Sequence, residues 1–161
     1  MKLYLIRHAQ PKSHEEDPRM PLSDLGQRTM RRVSEYATAR LGLAIPEIWH
    51  SDKLRAKETA DILAESLGMT TDSVQEHKGL APNDNVMSIK NQLLNRMDNL
   101  AIVSHLPFLN KLASLLLYSS QEDETRINFE MGSIACLSRD EYDNWRMEWM
   151  ITPDTIPGFY G

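Results

Sequence analysis

The stretch Lys2-Leu3-Tyr4-Leu5-Ile6-Arg7-His8-Ala9 decides the fold, because a short apolar run ends abruptly in an arginine and a histidine. Such a run is typical of a buried β-strand, which places Arg7 and His8 at its C-terminal end. In open α/β sheets, ligands bind beyond the C-terminal ends of the strands. An arginine and a histidine at that edge indicate an anion site, and phosphate is the first candidate.

The composition is that of an ordinary globular domain. The chain has 161 residues, of which 41% are hydrophobic and 25% charged, and its formal net charge is −5. We expect one domain over residues 1–161, with residues 151–161 forming an irregular C-terminal tail. The acidic balance argues against a general attraction to nucleic acid or to an anionic membrane, so an anion site has to be built locally.

The apolar segments do not predict a membrane protein. None approaches the length of a bilayer span, and the N-terminal run is too short for a signal peptide and lacks a cleavage site after it. The single cysteine, Cys136, excludes an internal disulfide and is expected to be a core residue rather than a nucleophile. We therefore expect a cytoplasmic location.

Strand and helix patterns alternate early in the chain and strand patterns follow late, which predicts a three-layer α/β/α sandwich with a mixed, mostly parallel central sheet. The predicted strands are Lys2–Arg7, Pro46–Ser51, an edge strand within Thr70–Leu80, Leu100–Ser104, Ser133–Leu137 and Trp145–Met150. The predicted helices start after an N-cap at Ser23 and run to about Leu41, then from near Asp52 to Leu67, from Asn85 to Arg96, and from Phe108 to about Tyr118. Gly42 and Gly68 are expected to end the first two helices, and Pro107 to lie in the first turn of the last.

Three of the predicted strands end in similar polar residues. The first ends in Arg7-His8, the second is followed by Ser51 and Arg55, and the fourth ends in Ser104-His105. If these strands are parallel neighbours, two arginines and two histidines converge at one edge, where helix N-termini add N–H donors. Arginine donates paired hydrogen bonds to phosphate, a neutral histidine nitrogen can attack phosphorus, and a second, cationic histidine can stabilise the equatorial oxygens.

Three segments taken together resemble the signatures of the histidine phosphatase (phosphoglycerate mutase-like) superfamily. They are Leu5-Ile6-Arg7-His8-Ala9, Ser51-Asp52-Lys53-Leu54-Arg55-Ala56-Lys57-Glu58-Thr59-Ala60 and Val103-Ser104-His105-Leu106-Pro107. Within the superfamily the chain is most similar to the small SixA-type phosphohistidine phosphatases. The Ser-His-Leu-Pro form of the third segment, the run Met131-Gly132-Ser133-Ile134-Ala135 and the closing strand with Trp145 carry that similarity.

The resemblance implies a phosphatase that uses neither a metal nor a cofactor. His8 would be the nucleophile and would form a covalent phosphohistidine. Arg7, Arg55 and His105 would bind the phosphoryl oxygens and stabilise the transition state, and water would then hydrolyse the intermediate.

The chain departs from the family pattern at three positions. Ala9 replaces the usual glycine, His14 stands where larger relatives have a phosphate-binding asparagine, and Pro82 occupies the place of the glutamate general acid. Asp84 is the nearest alternative proton donor, and Glu76 is another. An alkoxide leaving group needs a proton more than an imidazole does, so the loss of the acid favours phosphohistidine over stable phosphomonoesters.

The loop after His8 and the segment from Thr70 to Asn85 are short, which predicts a shallow, open site. The expected partner is therefore a phosphorylated protein, such as a phosphotransfer domain of bacterial signalling. Two alternatives remain: a phosphomonoesterase that acts on a small phosphorylated metabolite, and a non-catalytic module that only binds phosphate. A basic rim of Lys53, Arg55 and Lys57 would attract an acidic partner domain.

Overall fold

The computed structural model describes residues 1–120 and 127–158 of the chain. Within these ranges the strands are β1 (Lys2–Arg7), β2 (Ile48–His50), β3 (Val74–Glu76), β4 (Leu100–Ser104), β5 (Ile134–Arg139) and β6 (Trp145–Ile151). The α-helices are α1 (Asp24–Leu41), α2 (Leu54–Leu67), α3 (Val86–Leu93) and α4 (Phe108–Tyr118), and two short 3-10 turns cover Thr71–Ser73 and Pro153–Thr155.

One six-stranded sheet forms the centre of the fold, in the order β3-β2-β4-β1-β5-β6. Strands β3, β2, β4 and β1 are parallel, whereas β5 and β6 are antiparallel to their neighbours. The sheet is therefore mixed and mostly parallel, as predicted. Strands β2 and β1 both flank β4, so the three strands that end in the candidate site residues are direct neighbours.

Helices cover both faces of the sheet, because successive side chains of a strand point to opposite sides. On β1, Tyr4 and Ile6 belong to one buried cluster with residues of α1 and α2. Leu3 and Leu5 belong to the cluster formed with α3 and α4. This arrangement confirms the predicted three-layer sandwich, and it explains why β1 is nearly continuous in hydrophobicity rather than alternating.

The ends of α1 and α2 follow the local sequence rules. Ser23 caps α1 through its side chain, which accepts a hydrogen bond from the backbone N–H of Gly26. Gly42 and Gly68 end the two helices with φ values of 59° and 66°, a left-handed conformation that glycine adopts without strain. Helix α2 begins at Leu54, two residues later than the sequence pattern indicates, because Lys53 is the N-cap residue.

Several predicted boundaries were wrong. Helix α3 ends at Leu93 and does not reach Arg96, whose side chain donates to the carbonyl oxygens of Asp98 and Asn99 where the chain turns into β4. Strand β2 covers only Ile48–His50, and Pro107 is the N-cap residue of α4 rather than part of its first turn.

The C-terminal segment is less irregular than predicted. Strand β6 continues through Ile151, and the 3-10 turn Pro153–Thr155 follows it. Residues 159–161 of the predicted tail lie outside the described residues, as do residues 121–126.

Cys136 is fully buried in β5, and burial raises the pKa of its thiol to about 11. The residue is thus a core thiol, as its apolar neighbours predicted, and it is not activated as a nucleophile. Among the described residues, no helix is long and apolar enough to cross a membrane.

Gly26 is required where α1 packs on the loop that follows β1. A Cβ atom at this position would lie 2.1 Å from the carbonyl oxygen of Gln10. Gly26→Ala is therefore expected to lower the free energy of unfolding by about 1–3 kcal/mol, because backbone must move to relieve the overlap. Thermal unfolding measures the effect, with Arg28→Ala on the exposed face of α1 as the control. An unchanged melting temperature for Gly26→Ala contradicts this packing.

Candidate active site

The structure brings the three polar strand ends together at one edge of the sheet. The backbone N–H of His8 donates to the carbonyl of Ser104 at 3.1 Å, and that of Ser51 donates to the carbonyl of Val103 at 3.2 Å. The imidazole rings of His8 and His105 are neighbours, with centroids 5.0 Å apart and ring planes inclined at 52°. The convergence that the sequence predicted for these strand ends is thus present.

His8 presents one defined nitrogen for chemistry. Its Nδ1 lies 2.8 Å from the carbonyl oxygen of Ala9, within a buried environment. A carbonyl oxygen only accepts hydrogen bonds, so Nδ1 carries the proton and the neutral ring keeps its lone pair on Nε2. That lone pair is what a nucleophilic histidine requires.

The surroundings of His8 keep its ring neutral. Burial lowers the pKa of His8 to about 4, and the positive charges of Arg55 and Arg7 contribute in the same direction, against the opposing hydrogen bond to Ala9. The side chain is only 7% exposed. At neutral pH the lone pair on Nε2 is therefore free rather than protonated.

His105 is oriented by Ser51. Its Nε2 lies 2.5 Å from the Ser51 hydroxyl oxygen, and that oxygen also accepts a hydrogen bond from the backbone N–H of Lys53 at 3.3 Å. The Ser51 hydroxyl can donate its proton to Nε2, and in that arrangement the His105 proton lies on Nδ1. Nδ1 is buried without a hydrogen-bond partner among the described residues, so its N–H is available to a ligand oxygen.

The charge state of His105 differs from the cationic form invoked for the second histidine. Burial lowers its pKa to about 3, and His8, Arg55, Lys53 and Arg7 act in the same direction. In the free protein His105 is thus a neutral donor, because burial and the neighbouring positive charges both disfavour its cationic form.

The two arginines lie at the same edge of the sheet. Arg7 donates from Nη1 to the carbonyl oxygen of Phe129 at 2.8 Å, which fixes the direction of its guanidinium. Its Nε is buried without a partner among the described residues. Burial lowers the pKa of Arg7 and that of Arg55, yet both stay cationic at neutral pH.

Thr59 ties the two arginine-bearing segments together, a contact that the sequence analysis did not assign. Its hydroxyl accepts a hydrogen bond from the backbone N–H of Ala9 at 3.1 Å and donates to the carbonyl of Arg55 at 2.7 Å. Ala9 is fully buried and is not among the residues with positive φ. Alanine therefore fits this position without the strain that a left-handed conformation would impose.

The two carboxylates named as alternative proton donors, Asp84 and Glu76, border a cavity that Asp52 also lines. The volume of this cavity is about 370 Å³. The Asp84 carboxylate accepts the backbone N–H of Ala81 at 2.9 Å, which closes the loop after β3, and Glu76 is exposed at the sheet edge. Among the described residues, no group of three or more His, Cys, Asp or Glu side chains is arranged to hold a metal ion.

The two lysines of the predicted basic rim are paired with carboxylates. Lys57 forms an ion pair with Asp61 at 2.6 Å, and Lys53 forms one with Asp52 at 3.6 Å. The positive charge at this edge is therefore concentrated on the arginines of the site. His14 lies exposed in the loop between β1 and α1.

Comparison with known proteins identifies the class of protein to which this chain belongs. The family model of the histidine phosphatase superfamily (branch 1) matches residues 3–82, a range that contains Arg7, His8 and Arg55. Together with the fold, the match shows that the chain belongs to the histidine phosphatase superfamily, and this membership indicates a phosphatase.

Several solved structures are similar to this chain in fold. A protein histidine phosphatase SixA, determined with tungstate, aligns with a TM-score of 0.83 at 23% identity over 96% of this chain and 98% of that one. A protein assigned as the phosphohistidine phosphatase SixA of Agrobacterium tumefaciens aligns with a TM-score of 0.72 at 17% identity, over 94% and 97%. A mycobacterial glucosyl-3-phosphoglycerate phosphatase aligns with a TM-score of 0.71 at 17% identity, over 91% and 96%.

At these identities the structural likeness establishes the shared fold. A search of curated protein sequences finds no significant match.

The protonation of His8 can be measured directly. In nitrogen-detected NMR, the His8 ring is expected to remain neutral, protonated on Nδ1, from pH 7 down to about pH 4, because burial and the arginines disfavour the cation. Arg55→Gln is expected to raise the pKa of His8, since it removes one of the two positive charges. Titration of His8 at or above the ordinary histidine pKa of 6.5 contradicts this electrostatic environment.

Proposed function

We propose that the protein is a phosphatase in which Nε2 of His8 attacks the phosphorus of a bound phosphoryl group. The Nε2–P bond forms while the bond from phosphorus to the leaving group breaks, and water then attacks phosphorus to release inorganic phosphate and neutral His8. The observation that carries this proposal is the buried, neutral imidazole whose Nδ1 is tied to the Ala9 carbonyl.

Arg7, Arg55 and His105 are proposed to bind the phosphoryl oxygens. The two guanidinium groups supply fixed positive charge, and the buried Nδ1–H of His105 supplies a directed donor. Donors fixed before the reaction stabilise the transition state because they do not have to reorganise as charge develops. Ser51 is a positioning residue, since it acts only through the ring of His105.

For the substrate we propose phosphohistidine on a protein, such as a signalling phosphotransfer domain, which would place the reaction in the cytoplasm. The described structure supports an accessible site, because residues 8–23 connect β1 to α1 and residues 77–85 connect β3 to α3 without any helix that covers the strand ends. The likeness to SixA structures and the proline at position 82 support the same substrate class.

A phosphomonoesterase acting on a small metabolite is the second candidate. A cavity of about 380 Å³ adjoins Arg7, which is large enough for a small phosphorylated molecule. The likeness to a glucosyl-3-phosphoglycerate phosphatase favours this reading too. A non-catalytic phosphate-binding module is disfavoured, because phosphate binding alone does not require the free Nε2 of His8.

A substrate panel tests the proposal. Purified protein is incubated with a phosphohistidine-bearing phosphotransfer domain and, separately, with alkyl and sugar phosphomonoesters. The proposal predicts a kcat/KM for the phosphoprotein that exceeds those for the phosphomonoesters by about 100-fold or more, a difference of about 2.7 kcal/mol in transition-state stabilisation. Equal or faster hydrolysis of the phosphomonoesters overturns the assignment to phosphohistidine.

A further inference from the structure

The segment from Phe129 to Ser133 is bound to the strand end that carries His8. The backbone N–H of Gly132 donates to the carbonyl oxygens of Arg7 and His8 at 3.1 and 3.2 Å. The N–H of Arg7 donates to the carbonyl of Ser133 at 3.2 Å, and its guanidinium donates to the carbonyl of Phe129 at 2.8 Å. Position 130 is therefore fixed relative to the nucleophile by backbone contacts on both sides.

A cavity of about 380 Å³ opens between this segment and α1, and Arg7 forms part of its wall. Leu25, Met131 and Pro153 give it apolar surface, and Glu130 is the acidic residue among those that line it. The cavity thus combines the cation of the phosphate site with apolar contact area and one acid. This combination suits a flat ring that carries both a phosphoryl group and a polar N–H.

The Glu130 carboxylate is available to a ligand. Its Oε1 accepts a hydrogen bond of 3.3 Å from the side chain of Asn128, and the side chain is half-buried. Among the described residues, Glu130 forms no ion pair with Arg7, and burial alone accounts for the lowered pKa of that arginine. The arginine stays free for an anion while the carboxylate stays free for a hydrogen-bond donor.

We propose that this cavity is the leaving-group subsite, in which Glu130 accepts a hydrogen bond from the protonated ring nitrogen of a substrate phosphohistidine. The inference rests on the proposed function, because it assigns the second half of the same substrate. Leu25 and Met131 provide apolar contact to the ring, and Arg7 binds the phosphoryl oxygens at the mouth of the cavity.

The chemistry balances without a general acid. In the reactive substrate, one ring nitrogen bears the phosphoryl group and the other bears a proton, so the ring is cationic. As the bond from phosphorus to His8 Nε2 forms, the P–N bond breaks and its electron pair returns to the ring. The ring leaves as neutral imidazole that keeps its N–H, and this N–H still donates a hydrogen bond to the unchanged Glu130 carboxylate.

The Glu130 carboxylate does not assist the cleavage of an oxygen ester. An alkoxide must receive a proton as it leaves, and an ionised glutamate has none to give. The subsite therefore discriminates in favour of phosphoramidates. It also explains how the site could function with proline at position 82, where the family pattern has a glutamate general acid.

Glu130→Gln tests the inference with N-phosphoimidazole and 4-nitrophenyl phosphate as the two substrates. The variant is expected to lose about 10- to 100-fold in kcat/KM on N-phosphoimidazole, the range for a hydrogen bond to a charged group. On 4-nitrophenyl phosphate it should change less than about threefold, because nitrophenolate leaves without a proton. Glu130→Asp should lie between wild type and Glu130→Gln, and Glu35→Gln on the exposed face of α1 is the matched control.

The outcomes distinguish a failure of the inference from a failure of the proposed function. Equal losses on both substrates, or no loss on N-phosphoimidazole, overturn the role of Glu130 while leaving the phosphatase intact. Wild-type protein that cleaves 4-nitrophenyl phosphate but not N-phosphoimidazole overturns the proposed substrate class and the subsite together. Melting temperatures within a few degrees of wild type show that the variants are folded.

Discussion

His8→Asn is expected to reduce phosphatase activity by roughly 10⁴-fold or more, because the variant lacks the nitrogen that forms the bond to phosphorus. Asparagine is smaller than histidine and polar, so it is accommodated in the buried site. Its amide is a far weaker nucleophile than a neutral imidazole. Release of inorganic phosphate from the preferred substrate of the wild type measures the loss.

His50 provides the control for this experiment. It lies at the end of β2, it is 4% exposed, and its Nδ1 contacts the carbonyl oxygen of Ser51 at 2.8 Å, a local geometry like that of His8. His50→Asn is expected to keep activity within about tenfold of wild type, since local geometry without the phosphate site does not make a nucleophile. Comparable losses for both variants contradict the assignment to His8.

His105→Ala is expected to lower kcat/KM by about 10²–10³-fold, the effect of removing one preorganised donor from a developing anion. Because His8 remains, the phosphoenzyme still forms, but more slowly. The deficit should appear mainly in kcat, since the donor matters most when charge builds up on the phosphoryl oxygens. A deficit confined to KM would assign His105 to ground-state binding only.

Substitutions of Ser51 test the role of His105 with smaller expected effects. Ser51→Ala removes the partner of His105 Nε2 and frees the ring to change tautomer, for which we expect a loss of about tenfold. Ser51→Thr retains the hydroxyl and should recover most of the activity. Ser104→Ala is the matched control, because the Ser104 hydroxyl donates instead to the carbonyl of Leu80 at 2.7 Å. A larger loss for Ser104→Ala than for Ser51→Ala contradicts the positioning role.

The placement of Arg7, His8 and His105 could be predicted because it depends on simple rules. Apolar runs end in polar residues at Arg7-His8 and at Ser104-His105, and parallel strands bring such ends to one edge. The order of the strands then decides whether the ends are neighbours. Strand β4 lies between β1 and β2, so the rule applies directly.

The protonation of the histidines could not be predicted in this way. The tautomer of His8 depends on a backbone carbonyl one residue away, whose direction is set by the local turn. The tautomer of His105 depends on Ser51, which is separated from it by 54 positions in sequence. A strand-end pattern places such residues in proximity but does not orient their hydrogen bonds.

The sequence also could not predict which segments form the wall of the leaving-group cavity. Met131-Gly132-Ser133 was recognisable only as a family feature, whereas its hydrogen bonds to Arg7 and His8 join segments more than 120 positions apart. The end of helix α3 is a second feature that the sequence pattern did not predict. Its apolar pattern continues past Leu93, but the chain turns there to enter β4, and Arg96 contacts Glu47 and the carbonyl of Asn99 instead of extending the helix.

The covalent intermediate on His8 is the central claim, and rapid quenching followed by peptide mapping tests it most directly. Wild-type protein mixed with N-phosphoimidazole and quenched in alkali, where phosphoramidates survive, is expected to carry one phosphoryl group on Nε2 of His8. The same label should be absent from His8→Asn. Release of phosphate in a single turnover with no phosphorylated His8 at any time, or a label that persists in His8→Asn, contradicts the account.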